Sequence, residues 1–171
     1  MRLFIAVNFN DETRSRLLAL RDELRKKSQH GNFTAPENLH LTLAFIGEVS
    51  PKQVDKIERI LETVTFEPFE VTVDRLGTFS RDALWYAGLR ENEPLMLLQR
   101  EITYKLALCG FEMDGRKYSP HITLGREVIT TAVPRQIEPF GETVASVELM
   151  KSERINGKLT YTAVYKKSTG G

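Results

Sequence analysis

The sequence is poor in the features that would fix its chemistry at once. Its 171 residues include a single cysteine, Cys109, so no internal disulfide is open to it. Lying at the end of a helical pattern just before Gly110, that thiol reads as a small buried apolar residue. Charge of one sign is also missing: 24 Lys and Arg stand against 23 Asp and Glu, which excludes the global basic field that holds nucleic acid through many phosphates. Any phosphate contact must therefore be local. No apolar run approaches the roughly 18 residues that span a bilayer. The opening "MRLFIAVNFND" has neither the length nor the cleavage site of a secretory signal, so a cytoplasmic protein with no membrane partner is expected. No phosphate-cradling glycine loop or dinucleotide fingerprint is present, so no cofactor is expected. Histidine is scarce as well, with three in the chain.

What is present alternates between two periodicities. Leu3 to Phe9 reads as a strand, Asn10 or Asp11 as a cap, and Leu17, Leu20 and Leu24 as the inward stripe of a helix. "NFTAPENLHLTLAFIGEV" is β-rich; Ser50-Pro51 then opens a second helix, with Val54, Ile57, Leu61 and Val64 on one side. "FEVTVDRLGTF" and "ALWYAGLR" read as neighbouring strands joined at Ser80-Arg81-Asp82. Leu95, Leu98, Ile102, Leu106 and Cys109 describe a third helix that stops at Gly110. From Thr143 to Tyr165 the pattern is β again, with a hairpin turn at Asn156-Gly157, and residues 165–171 read as a frayed tail. Helices among strands joined by short turns predict an α+β fold with antiparallel sheets. No glycine- or proline-rich linker cuts the chain, so residues 1–171 are expected to form one bilobal domain, each half supplying helices, strands and one histidine strand.

Two of the three histidines sit in matching contexts 81 residues apart: His40-Leu41-Thr42-Leu43 and His121-Ile122-Thr123-Leu124. On a strand, residues i and i+2 share a face, so each histidine and its threonine face one way while the aliphatics face the other. A lone His-x-Thr is ordinary strand chemistry. Chance pairing of both copies, with apolar residues at the intervening positions, is on the order of 1 in 1,000, so duplication is the better account. Two imidazoles across a groove can serve as acid and base near neutral pH, and the threonine hydroxyls can donate to anionic oxygens. That set suits in-line displacement at a phosphodiester. Two histidines without neighbouring Cys, Asp or Glu make a poor zinc cage, so no metal is expected.

These residues resemble the 2H phosphoesterases, named for two His-x-Thr-x motifs, and among them the RNA 2′,3′-cyclic phosphodiesterases, also called 2′-5′ RNA ligases. The resemblance runs from "RLFIAV" through "ENLHLTLAFIGEV", "LWYAGL" and "SPHITLGR" to "SERINGKLTYTAVY". It implies a bilobal α+β fold with pseudo-twofold duplicated antiparallel sheets, outer helices and a central cleft. It also implies metal-independent opening of a terminal RNA 2′,3′-cyclic phosphate to a 2′-phosphomonoester, with reversible ATP-independent 2′-5′ ligation open to the same site. His40 is then the proton donor and His121 the proton acceptor, roles that the symmetry of the motifs alone leaves open; Thr42 and Thr123 complete the catalytic set. By the same resemblance Arg126 holds phosphate. Strict alternation puts it opposite His121, so the strand is expected to bend or bulge near Gly125. Phe45 holds the equivalent place in the first motif, where it packs or contacts a base. The partners implied are RNA ends or nucleotides bearing 2′,3′-cyclic phosphate, bound by a monomer. Two alternatives remain: a related enzyme acting on a small cyclic phosphate or a 2′-5′ oligonucleotide, and a non-catalytic RNA-end-binding protein.

Weaker candidates surround the motifs. Arg116, Lys117 and Tyr118 could guide RNA, although a solvated loop is the plainer reading; Lys151, Arg154 and Lys158, around the final hairpin, pose the same choice. Phe79 and Trp85 could stack bases but read first as core. His30, beside Gly31, reads as surface.

Overall fold

The computed structural model describes residues 1–170 and contains three α-helices and nine strands among them. The strands are β1 (Arg2–Asn8), β2 (Ser28–Phe33), β3 (His40–Glu48), β4 (Phe69–Phe79), β5 (Leu84–Leu89), β6 (His121–Thr130), β7 (Arg135–Val144), β8 (Ser146–Ile155) and β9 (Lys158–Ser168). The helices are α1 (Asp11–Lys26), α2 (Pro51–Glu62) and α3 (Glu93–Leu108). Each helix starts where its sequence supplies a cap. Asn10 Oδ1 accepts from the Thr13 amide at 2.9 Å, Asn92 Oδ1 accepts from the Leu95 amide at 3.1 Å, and the Ser50 amide donates to Gln53 Oε1 at 2.8 Å. Such side chains take up backbone groups that the first turn leaves without partners.

The strands form two antiparallel sheets, ordered β3-β1-β8-β9 and β2-β6-β5-β4-β7, in the bilobal α+β arrangement expected. The lobes are not the two halves of the chain, however. β2 crosses to the second sheet, and β8 and β9 return to complete the first. One apolar cluster runs through both sheets, from Ile5 and Leu41 to Val73 and Ile122. Leu41 and Ile122 are fully buried; truncating either to Ala would cost about 2–5 kcal/mol.

The closing segment corrects the expectation of a frayed tail over 165–171 for its first four residues, while Gly171 lies outside the described residues. Tyr165 to Ser168 belong to β9, with Tyr165 opposite Leu149, Lys167 opposite Val147 and Ser168 opposite Ser146. The ladder to β8 holds a polar sequence in a strand that its composition alone would not.

Candidate active site

The two histidine strands are built alike to the residue. β3 pairs with β1, placing Ala6 opposite Thr42 and Ile5 opposite Ala44, so Leu43 is an extra, bulged residue. β6 pairs with β5, placing Tyr86 opposite Thr123 and Trp85 opposite Gly125, so Leu124 is bulged at the same motif position. A bulge shifts the alternation by one residue. Leu43 and Ala44 are accordingly both buried, as are Leu124 and Gly125, and the next residue in each strand, Phe45 or Arg126, is exposed. The expected bend thus exists, but its seat is Leu124. The first strand makes the same bulge with alanine after it, so glycine's conformational freedom is not what permits it. Gly125 serves packing instead: a Cβ there would lie 3.0 Å from Val128 and 3.1 Å from Phe33.

Both motifs open onto one cleft of about 1330 Å³, whose lining includes His40, Thr42, His121, Thr123, Arg126 and Phe45. Each imidazole is fixed from behind. His40 Nδ1 lies 2.7 Å from the Asn38 carbonyl and His121 Nδ1 2.8 Å from that of Ser119. A carbonyl only accepts, so each Nδ1 carries the hydrogen and each Nε2 is left for chemistry. His40 Nε2 is 2.8 Å from Thr42 Oγ1. Aromatic rings flank both histidines: Phe4 and Tyr161 lie 5.0 and 5.2 Å from His40, and Phe79 and Tyr86 lie 5.2 and 5.7 Å from His121. Burial among them pushes both imidazoles below their ordinary range, more than the carbonyl bonds raise them. His121 adds to the lowering at His40, and Arg126 adds to it at His121.

Arg126 Nη1 stands 3.8 Å from Asp82 Oδ2. Asp82 and Ala83, in the turn between β4 and β5, both have positive φ, 58° and 44°. A cluster of such backbone beside a reactive cleft is a recurrent mark of functional sites. Phe45 is 51% exposed, with the Arg2 guanidinium 5.1 Å from its ring centroid. Among the weaker candidates, Arg116, Lys151, Arg154 and Lys158 line the cleft, whereas Lys117 and His30 are exposed outside it. Tyr118 is half-buried and outside the cleft lining: its hydroxyl donates to the Thr42 carbonyl at 2.7 Å. Trp85 is core; Phe79 stacks on Tyr86 at 4.5 Å. Among the described residues no three His, Cys, Asp or Glu side chains gather as metal ligands, and no helix is long and apolar enough to cross a membrane.

Sequence reasoning missed Asn38, Tyr161, Tyr86 and Asp82. Asn38 had a readable signal. It is a polar residue two places before His40, at the end of a short turn over Pro36–Asn38, and the structure buries it, so its side chain needs partners. Its amide donates to the Leu159 carbonyl at 3.0 Å, tying the approach to β3 onto β9. The others come from distant segments and carry no motif.

Comparison with known proteins agrees with this geometry. Residues 7–86 match the family described as LigT like Phosphoesterase. The chain is 35% identical over 152 residues to the RNA 2′,3′-cyclic phosphodiesterase of Archaeoglobus fulgidus, covering 83% of this chain and 85% of that one. To the Escherichia coli protein of the same name it is 28% identical, covering 94% and 92%. The structure of E. coli LigT complexed with 3′-AMP superposes with a TM-score of 0.87 at 25% identity, covering 99% of this chain and 98% of that one.

Proposed function

The chain belongs to the LigT-like phosphoesterase family and acts as a phosphodiesterase on RNA 2′,3′-cyclic phosphates; from that premise we propose that it opens the ring to a 2′-phosphomonoester with His121 as base and His40 as acid. The observation that carries the assignment of chemistry to these side chains is the matched pair of imidazoles, each with Nδ1–H held by a carbonyl and Nε2 left to the cleft.

Neutral His121 takes a proton from water at Nε2 while the water oxygen attacks phosphorus. The P–O3′ bond breaks in line, and charged His40 gives its proton to the departing O3′. O2′ keeps the phosphate. Thr42 and Thr123 donate to the non-bridging oxygens, and Arg126 balances their charge. The imidazoles supply the proton transfers, so the reading requires no metal or other cofactor. With the 5′-hydroxyl of a second RNA end in place of water, the same steps give ATP-independent 2′-5′ joining: P–O5′ forms as P–O3′ breaks, and the backward run cleaves that linkage. The reading also takes the protein to be a cytoplasmic monomer.

The test is product identity. An oligoribonucleotide ending in 2′,3′-cyclic phosphate should be converted to the 2′-phosphate, distinguishable from the 3′-isomer by chromatography against both standards. A 3′-phosphate product would overturn the choice of scissile bond, and no turnover by purified protein would favour an RNA-end binder.

A further inference from the structure

The cations of the cleft are unequally shared between the lobes, and we propose that the body of an RNA strand, upstream of its cyclic-phosphate end, lies across the β3-β1-β8-β9 sheet with its phosphates on Arg2 and Arg154 and a base on Phe45. This rests on the phosphodiesterase reading above.

Six Lys or Arg residues line the cleft, Arg2, Arg116, Arg126, Lys151, Arg154 and Lys158, against two carboxylates, Glu48 and Glu153. The whole chain holds 24 such cations and 23 such acids, so outside the cleft acids outnumber cations by 21 to 18. The near-neutral total therefore conceals a local positive field. Four of the six cations stand on the sheet that carries His40: Arg2 on β1, Lys151 and Arg154 on β8, and Lys158 on β9.

Their partners then separate them. Lys151 pairs with Glu153 at 3.4 Å, Lys158 with Glu37 at 2.8 Å, Arg116 with Asp114 at 2.7 Å and Arg126 with Asp82 at 3.8 Å. Among the described residues, Arg2 and Arg154 are the cleft cations with no carboxylate within 4.0 Å. They also share a face of the sheet, since Arg2 lies opposite Ser152 and Arg154 follows two residues later on β8. Unneutralised arginines in a positive groove match the repeating charge of a phosphodiester backbone.

Phe45 supplies the apolar half of such a site. Its half-exposed ring projects from the catalytic strand beside Arg2, and an aromatic face beside cations accepts any base without sequence preference. At the position where the second lobe presents Arg126 to the reacting phosphate, the first lobe presents this ring, so the lobes divide end and body of the substrate between them. The cleft volume of about 1330 Å³ exceeds the roughly 300–1,000 Å³ of an ordinary small-ligand site, which leaves room beyond one nucleotide.

The test compares a nucleoside 2′,3′-cyclic phosphate with a trinucleotide and a hexanucleotide ending in the same group, each over a range of salt. For the wild-type protein, kcat/KM should rise about tenfold or more from mononucleotide to hexanucleotide, with a steeper salt dependence for the longer substrate. In the double variant Arg2→Ala/Arg154→Ala, the hexanucleotide should lose about tenfold, through KM. Its log–log salt slope should flatten by about 1.4, or about 0.7 per phosphate contact. Mononucleotide kinetics should stay within about twofold of wild type. Phe45→Leu should lower the hexanucleotide value by about fivefold or more with the salt slope unchanged. Equal wild-type rates at all lengths, or losses in the double variant that are alike for mononucleotide and hexanucleotide, would overturn this path and leave the phosphodiesterase reading standing. A wild-type protein that opens none of the three would sink that reading instead.

Discussion

Tyr118, three residues before His121, donates its hydroxyl to the carbonyl of Thr42, two residues after His40, at 2.7 Å. The second lobe's approach to its histidine is thereby fastened to the first lobe's motif. A counterpart runs the other way: the Thr34 hydroxyl, on the approach to His40, donates to the Thr123 carbonyl at 2.9 Å. The separation of the two histidines is set by this crossed pair of bonds as well as by packing.

Tyr118→Phe should lower stability by about 1–2 kcal/mol, because it leaves a partly buried carbonyl without its donor. It should also lower kcat more than it changes KM, since proton transfer depends on the spacing of both imidazoles from one phosphate. Urea denaturation and steady-state kinetics check the two effects separately. A destabilised protein with unchanged kcat would mean that packing alone keeps the histidines in place.

Alanine at either histidine should cut turnover by about 10² to 10⁴-fold with the fold intact, because the opposite, aliphatic face of each strand carries the packing. The leaving group tells the two apart. A diester that releases p-nitrophenol needs no acid, so His40→Ala should recover much of its relative rate on it and His121→Ala should not. Rescue of both variants, or of His121→Ala alone, would reverse or dissolve the assignment.

Arg126→Ala should weaken productive phosphate binding by about 1.5–3 kcal/mol, the value of a charge-assisted hydrogen bond. Asp82→Asn should act in the opposite direction. It removes the carboxylate that competes with phosphate for Arg126, and KM should fall by up to about fivefold, the ceiling set by an exposed pair. An unchanged KM in Asp82→Asn would mean that the 3.8 Å pair does not compete with substrate.

Both histidines are held below the ordinary value near 6.5, chiefly by burial. A base must be neutral and an acid charged, so kcat/KM should fall as pH drops through the value of His121 and again as pH rises through that of His40. With both lowered, the bell should centre on the acid side of about 6.5. The phosphate anion favours the charged form of His40, so the profile of kcat should lie at higher pH than that of kcat/KM. Profiles of both from about pH 4.5 to 9 check the order, and a kcat profile lying below the other would refute it.

EDTA should leave turnover intact, since the imidazoles manage both protons without a Lewis acid. Loss that zinc or manganese restores would refute the metal-free mechanism.

Most elements were legible because their apolar spacing was regular: the Leu17, Leu20 and Leu24 stripe, the Ser50-Pro51 start and the Asn156-Gly157 turn all stand where the sequence put them. Two edge strands were not. β2 is "SQHGNF", without alternation, and it exists because β6 offers a ladder to pair with. β7 contains Pro139 and Gly141, which an outermost strand tolerates because one side of its backbone needs no partner. Within the site, His40, Thr42, His121 and Thr123 were readable as a repeated local pattern. The reach of Arg126 was only half readable, since it depends on a bulge fixed by the register with β5. Asp82 approaches from the turn between β4 and β5 and Tyr161 from β9, and no spacing in the sequence relates them to the histidines.

β3, the strand that carries His40, ends its sheet, with β1 as its single neighbour. A bare sheet edge is a template for another chain. Here two side chains occupy it: Tyr118 takes the Thr42 carbonyl, and Gln99 Nε2 donates to that of Leu43 at 3.3 Å. Resistance to self-association therefore depends on the same backbone that holds the reactive groups, and a change that loosens this edge exposes the protein to strand addition and to loss of its chemistry at one place.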